Sequence, residues 1–219
     1  MATSKLLKKI VYTGTITLKT GLHVGGTNAA LNIGGPDKFV VRNPVNNVPY
    51  IPGSSLKGKM RALVEIANGC ITYTSRGEAK ASEDPDSISG RLFGVAVGNS
   101  KGRPSRLIIR DAEMDTSHPE MFENTDLLYT ESKTEVSIDR VTAATNGMLH
   151  TIERVPAGAV FKLNMVLNIF EGEDEQGLKD TVKQAIRLLE NDYLGGNGSR
   201  GYGQVKIMLD NPDGETLTF

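Results

Sequence analysis

The sequence predicts an α+β fold, because segments with two different hydrophobic periods follow one another along the chain. In residues 10–19 apolar and polar side chains alternate, as in a β-strand with one buried face. In residues 54–67 and 176–189 the apolar side chains instead recur every three to four positions, as in amphipathic helices. Apolar runs at 106–114 and 160–170 predict further strands.

The first predicted helix has a cap and a basic side. Ser54 can cap its N-terminus. Its core-facing positions share helical spacing: Leu56, Met60, Leu63, Val64 and Ala67. Lys57 and Arg61 lie four residues apart, hence on one side of the helix, and are candidates for binding phosphate. The alternative is that this basic face of the helix is solvated and binds no ligand, and the sequence alone favours that alternative.

The remaining elements complete a recognisable order. Residues 87–93 predict a short helix and residues 204–209 a last strand. Residues 115–157 lack clean periodicity and are interpreted as a protruding arm or hairpin, with a strand-like stretch at 134–138. The order of strand, helix, strands, helix and strand predicts a ferredoxin-like α+β core with insertions.

Composition excludes several classes of protein. With 219 residues, 38% hydrophobic and 23% charged, the chain is typical of one globular domain. No apolar run approaches the length needed to cross a membrane, and no signal peptide is evident. The single cysteine, Cys70, excludes an internal disulfide framework and a cysteine zinc cluster. A cytoplasmic location is therefore expected.

The charge is unevenly distributed along the chain, although the net charge is only −1. Residues 1–110 hold 16 Lys/Arg and 6 Asp/Glu, whereas residues 111–219 hold 9 and 20. This asymmetry is typical of a protein with a basic surface for a polyanion and an acidic surface elsewhere, and it would suit head-to-tail stacking of identical copies. Alternatively, the two sets of charges are solvated and interleave in space.

Two glycine motifs resemble nucleotide-binding loops but fail in context. A phosphate loop beginning at Gly53 would need Ser or Thr where Met60 stands. The G-x-G-x-x-G pattern at 196–201 follows a helix and precedes a strand, the reverse of a dinucleotide-binding unit. Its glycines favour close contact with a ligand, and Arg200 can pair with a phosphate. An ordinary glycine-rich connection is the alternative.

Four motifs in order carry a family resemblance. They are TGLHVGG at 20–26, IPGSSLKGKMR at 51–61, RLFG at 91–94 and LGGNGSRGYG at 194–203. Over about residues 8–209 the chain resembles the RAMP proteins, and within them the guide-RNA backbone subunits of type III-A CRISPR (Csm) effector complexes.

The resemblance implies an architecture and a set of partners. One RAMP domain would span 1–219, with a ferredoxin-like, RRM-related palm (about 8–114 and 158–209) and a hairpin thumb inserted at about 115–157. Several copies would stack as a filament along one guide (CRISPR) RNA, together with the other subunits of the complex. The thumb would interrupt the duplex of guide and target RNA at regular steps.

The resemblance also implies an activity and its catalytic residue. Family members are endoribonucleases that cut target RNA with a divalent metal, for which Mg²⁺ is expected here. Their aspartate lies in an Ile-Gly-x-x-Asp segment, which reads IGGPD at 33–37 and so ends at Asp37. Asp37 would hold the metal or act as general base for attack by the 2′-hydroxyl. Without the resemblance, Asp37 is best interpreted as a turn residue.

Guide binding is expected to be independent of sequence and to use phosphates and sugars. Beside Lys57 and Arg61, the RNA-binding candidates are the following residues: His23, Gly196, Gly198, Ser199, Arg200 and Gly201. Alternatively, His23 acts as an acid or base, or is a structural histidine whose ring is hydrogen-bonded within the fold. Met148, or its neighbour Leu149, is the expected apolar wedge of the thumb. His118 and His150 are expected to be exposed and receive no role.

Two other functions remain open at this stage. The first is a structural RNA-binding subunit of the same kind of complex that does not cut RNA. The second is a RAMP endonuclease that matures guide precursors, and the shortage of histidines (3 in the chain) counts against it.

Overall fold

The computed structural model describes residues 5–26, 36–96 and 102–219, without the side chains of 146–148. The strands are β1 (Leu6–Leu18), β2 (Tyr50–Ile51), β3 (Thr72–Tyr73), β4 (Ala79–Lys80), β5 (Leu107–Ile109), β6 (Ala112–Glu113), β7 (Glu131–Ile138), β8 (Thr145–Arg154), β9 (Val160–Phe170), β10 (Val205–Leu209) and β11 (Glu215–Thr218). The helices are α1 (Gly53–Ala67), α2 (Ile88–Phe93) and α3 (Glu175–Glu190), and 3₁₀ turns cover Pro119–Phe122 and Gly198–Arg200.

A central antiparallel sheet has the strand order β10-β1-β9-β5. The far end of β1 pairs instead with β11, which the sequence did not predict. Ile10 lies opposite Leu167 and Ile16 opposite Phe161, and all four side chains are buried in the core together with residues of α1 and α3. The predicted α+β class is confirmed, since alternating apolar residues on the strands meet the apolar stripes of the helices.

Helix α1 begins differently from the prediction. Ser54 does not cap it, because the helix already starts at Gly53, whose N–H donates to the carboxylate of Asp111 at 2.8 Å. The residue Asp111 lies between β5 and β6, and this is where the strand predicted at 106–114 divides in two. Four of the five predicted core positions are buried. Ala67 is exposed at the helix end, and Glu65 is buried instead.

A two-stranded hairpin of β7 and β8 projects as a separate sheet, within the segment interpreted from the sequence as an arm or hairpin. Three of its apolar side chains are exposed: Val136 and Leu149, which face each other across the strands, and Ile138. Met148 lies in β8, but its side chain is outside the described residues. Among the described helices, none is long and apolar enough to cross a membrane.

Charges from the two halves of the chain meet in space. Five ion pairs join a cation of residues 1–110 to a carboxylate of residues 111–219: Lys8–Glu175, Arg42–Glu153, Lys59–Asp192, Arg103–Glu173 and Arg106–Glu173. Part of the asymmetry seen in the sequence is therefore neutralised inside the domain, which favours interleaved charges over two wholly separate surfaces.

Candidate functional site

Asp37 is held against the outer edge of β8. Its backbone N–H donates to the carbonyl of Thr151 at 2.8 Å, and the Thr151 N–H donates to the Asp37 carboxylate (Oδ2) at 2.9 Å. The next residue, Lys38, forms a parallel bridge with Ile152. The Asp37 side chain is 57% exposed, and its Oδ1 accepts no hydrogen bond from the described residues. The backbone of Asp37 is thus fixed while its carboxylate faces solvent. The residues just before it, 33–35, lie outside the described part.

A buried carboxylate keeps the Asp37 segment in place. The side chain of Glu153 is 3% exposed, and it pairs with Arg42 at 2.6 Å. It also accepts hydrogen bonds from the Thr130 hydroxyl at 2.7 Å and from the Val40 N–H at 2.8 Å. A buried carboxylate is tolerated only when it is paired and hydrogen-bonded in this way. Glu153 could not be predicted as buried from the sequence, because its neighbour Ile152 is buried as well and the strand therefore does not alternate here.

His23 joins three segments of the chain. Its ring Nδ1–H donates to the Glu153 carbonyl at 2.7 Å, and its own carbonyl accepts the N–H of Gly196 at 2.8 Å. The preceding residue, Leu22, forms an antiparallel bridge with Val155. The side chain is buried. These contacts are those of a structural histidine, one of the roles considered from the sequence, and a phosphate contact through His23 stays a prediction.

The loop of residues 194–203, here called the glycine loop, is packed against the protein itself. Gly195 has a positive φ of 75°, and a Cβ there would lie 2.3 Å from the His23 carbonyl oxygen. A Cβ on Gly198 would lie 2.0 Å from the ring of Tyr193. Packing within the protein therefore requires glycine at positions 195 and 198, without any ligand. Ser199 and Gly201 are exposed, so their contact with a ligand stays a prediction.

Arg200 ties the glycine loop to the hairpin. It pairs with the Glu135 carboxylate of β7 at 2.6 Å, and the Tyr202 hydroxyl donates to the same carboxylate at 2.9 Å. Burial raises the pKa of Glu135, but the Tyr202 hydrogen bond and the Arg200 charge outweigh it and keep that pKa below its usual value. Burial and Glu135 raise the pKa of Tyr202 to about 12, so its hydroxyl stays a donor.

Lys57 and Arg61, the RNA-binding candidates on α1, are bonded to groups of the protein outside the glycine loop. The Lys57 ammonium donates to the Ser105 hydroxyl at 2.7 Å and to the Leu107 carbonyl at 2.8 Å. Burial, followed by the charge of Arg61, lowers the pKa of Lys57. Arg61 binds Glu65 at 2.8 Å. Neither residue pairs with the glycine loop among the described contacts, and their RNA binding stays a prediction.

The residue of α1 that contacts the segment just before the glycine loop is Lys59. Its ammonium lies 3.6 Å from the centroid of the Tyr193 ring, on which Gly198 packs, and 3.3 Å from the Asp192 carboxylate. Lys59 follows Lys57 by two residues, which is about half a helical turn, and therefore lies on the opposite side of α1.

His150 is a neighbour of Asp37 that the sequence did not reveal. Its Nδ1 lies 3.9 Å from the Asp37 Oδ2, and its side chain is 62% exposed. In the hairpin, His150 is the cross-strand partner of Glu135. A polar row therefore crosses the hairpin in the order Asp37, His150, Glu135 and Arg200. The row depends on strand register, which cannot be seen from sequence spacing.

Comparisons with known proteins agree with the motifs. Residues 15–206 match the RAMP superfamily. An Enterococcus italicus protein named CRISPR system Cms endoribonuclease Csm3 is 41% identical over 210 residues, which cover 95% of this chain and 94% of that protein. A Methanocaldococcus jannaschii protein of the same name is 40% identical over 200 residues, covering 91% of this chain and 78% of that protein.

A solved structure agrees as well. The crystal structure of a Csm3-Csm4 subcomplex in the type III-A CRISPR-Cas interference complex matches with a TM-score of 0.54 and 30% identity, covering 93% of this chain and 77% of that one. The family resemblance expected from the four motifs is thus confirmed. The chain belongs to the RAMP superfamily and, within it, to the family of the Csm3 proteins.

Proposed function

We propose that this chain is a backbone subunit that binds guide RNA in several copies and cuts the target RNA paired with the guide, with Asp37 carrying the reaction. The observation that carries the proposal is that one hairpin, β7 and β8, holds both Asp37 and the glycine loop. Strand β8 fixes Asp37 through Thr151, and β7 holds the glycine loop through Glu135. The names of the relatives, which describe endoribonucleases, support the same activity.

The chemistry follows from the nucleophile that RNA carries. The 2′-hydroxyl attacks the adjacent phosphate, and a nucleotide displaced from the duplex can adopt the in-line geometry that this attack requires. The exposed Asp37 carboxylate can take the hydroxyl proton, a contribution of about 10²- to 10⁴-fold in rate. The products are a cyclic phosphate and a 5′-hydroxyl.

We further propose that a divalent metal, Mg²⁺, takes part at Asp37. In the described residues no group of three or more His, Cys, Asp or Glu is arranged to hold a metal. Mg²⁺ commonly binds through one or two carboxylates and completes its shell with waters and substrate phosphates, which one carboxylate with an unused Oδ1 fits. The metal would supply positive charge beside the phosphate.

Guide binding is assigned to the glycine loop and its surroundings. Arg200 is exposed enough to exchange Glu135 for a phosphate, and Ser199 and Gly201 offer exposed polar groups beside it. The glycine loop would be supported on its protein-facing side by His23, Gly196 and Gly198. Further contacts with RNA would come from Lys57 and Arg61 of α1. The exposed Leu149, with Met148 before it, is the proposed wedge of the hairpin.

A subunit of this kind is proposed to have a ferredoxin-like palm and an inserted thumb. The order β10-β1-β9-β5, with α1 between β1 and β5 and α3 between β9 and β10, supports a ferredoxin-like palm. The hairpin of β7 and β8 would be the thumb, and the cytoplasm is where guide and target RNA are available to such a subunit.

The test compares target cleavage by the assembled complex carrying wild-type subunits with cleavage after Asp37→Asn. Asparagine has the size of aspartate and keeps an oxygen for the Thr151 N–H, so the fold is retained. We expect a loss of about 10²-fold or more with target binding unchanged. Asp115→Asn is the matched control, because Asp115 also accepts a backbone N–H, from Ser117 at 3.0 Å. Equal cleavage by all three complexes would make this chain a structural subunit.

A further inference from the structure

We propose that His150 contacts the target RNA at the bond that is cut, donating a hydrogen bond from its ring to a nonbridging oxygen of that phosphate. The proposal rests on the function proposed above and adds a second residue to the site.

The first support is the position of His150 beside Asp37. Its Nδ1 lies 3.9 Å from the Asp37 Oδ2, too far for a hydrogen bond. Among the described residues, this ring nitrogen is the basic side-chain atom that lies within 4 Å of the Asp37 carboxylate. Both side chains are more than half exposed, so RNA that reaches one of them can reach the other.

The second support is the position of His150 in the polar row. Cross-strand partners place their side chains on one face of a hairpin, with Cβ atoms about 4.5–5.5 Å apart. Glu135 is the partner of His150 and is held by Arg200 and Tyr202. If the guide lies on the glycine loop and the target paired with it reaches Asp37 along this face, the target strand therefore passes over His150.

The third support comes from comparing the three histidines. His23 is buried and uses its Nδ1 on the Glu153 carbonyl. His118 contacts Glu120 at 3.0 Å. In the part of the chain that the structure describes, His150 makes no hydrogen bond at either ring nitrogen. Its ring thus retains a donor for a ligand and contributes little to holding the fold.

The reaction needs no reactant besides the RNA and water. The O2′–phosphorus bond forms and the bond from phosphorus to the 5′-oxygen breaks. Asp37 accepts the proton of the 2′-hydroxyl, and water gives a proton to the departing 5′-oxygen. Negative charge grows on the nonbridging oxygens during attack, and a donor aimed at such an oxygen lowers the barrier.

The experiment measures single-turnover cleavage and target binding separately in the assembled complex. A buried donor of this kind is worth about 10²- to 10³-fold, and for an exposed one we expect His150→Ala to slow cleavage about 10- to 100-fold. Target affinity should change by less than about twofold. His150→Gln keeps an N–H donor and should recover part of the rate. His118→Ala, the matched control, should cleave like wild type.

A sulfur substitution tests contact with the phosphate directly. Replacing one nonbridging oxygen of the scissile phosphate by sulfur weakens a hydrogen bond to it, so the wild-type complex should lose rate on one of the two sulfur isomers. The His150→Ala complex should lose less on that isomer, which a purely structural role would not produce. An equal loss in both complexes would overturn the proposal.

Failure of this proposal is distinguishable from failure of the proposed function. If Asp37→Asn abolishes cleavage while His150→Ala cleaves at the wild-type rate, only the role of His150 is refuted. If Asp37→Asn cleaves like wild type, the nuclease assignment itself is wrong. Loss of target binding in His150→Ala that matches its loss of rate would also refute a contact made during the reaction.

Discussion

Replacing Glu153 by alanine should destabilise the domain far more than its position on a projecting hairpin would suggest. The change removes the carboxylate that Arg42, Thr130 and the Val40 N–H share, and it leaves the Arg42 guanidinium, 18% exposed, without its partner. Breaking a buried ion pair from one side costs about 3–5 kcal/mol. The expected loss in the free energy of unfolding is therefore about 3 kcal/mol or more.

Urea unfolding of the isolated protein provides the assay. With a slope of about 3 kcal/mol/M, suited to a domain of this size, the midpoint should fall by about 1 M. The melting temperature should fall by roughly 6 °C or more. Glu131→Ala is the matched control on the same hairpin: its pair with Arg154, at 2.7 Å, is partly exposed and worth about 0–1 kcal/mol. If Glu153→Ala costs no more than this control, the contacts of Glu153 with Arg42, Thr130 and Val40 do not stabilise the fold.

Three further predictions concern guide binding, packing and pH. Arg200→Ala should reduce the slope of log affinity for single-stranded guide RNA against log salt by about 0.7, whereas the exposed Arg76→Ala should not, as measured by titration at several salt concentrations. Gly198→Ala should lower stability by about 1–3 kcal/mol, because the new Cβ overlaps the tyrosine ring beneath it, whereas Gly58→Ala, in open space on α1, should raise the melting temperature. Burial raises the pKa of Glu173, but hydrogen bonds from two arginines and a backbone N–H outweigh it and bring the pKa below its ordinary 4.5. Its stabilising effect is therefore complete above pH 4.5 and is lost as the pH falls through the lowered pKa, so Glu173→Gln should flatten the acid limb of a stability profile.

Long elements with one buried face could be predicted from the sequence. The periods of two and of 3.6 residues located β1, β9, α1 and α3, and the expected helix α2 begins after its cap Ser87, whose side chain accepts from the Gly90 N–H. Such elements bury a stripe of side chains whose spacing is local information. Element order then supplied the α+β class.

The pairings between distant segments could not be predicted. Asp111 rather than Ser54 receives the first N–H of α1, and His150 lies beside Asp37 although 113 positions separate them in the chain. The buried carboxylates of Glu153 and Glu65 both accept backbone N–H groups from distant segments, Val40 and Ser82 respectively. Each depends on register and on the path of a connection, neither of which leaves a periodic trace. The family motifs indicate Asp37, but its neighbours Thr151 and His150 follow only from the pairing of β7 and β8 and the path of the chain before β2.

The attachment of Asp37 to β8 rather than to the central sheet has a mechanical consequence. A tilt of the hairpin relative to the sheet would carry the carboxylate with it, because the hydrogen bonds to Thr151 travel with the strand. If the hairpin opens the duplex, the place of opening and the place of scission are set by one rigid piece. Cut sites along a target would then keep a constant offset from each displaced nucleotide, even where neighbouring subunits are unevenly spaced.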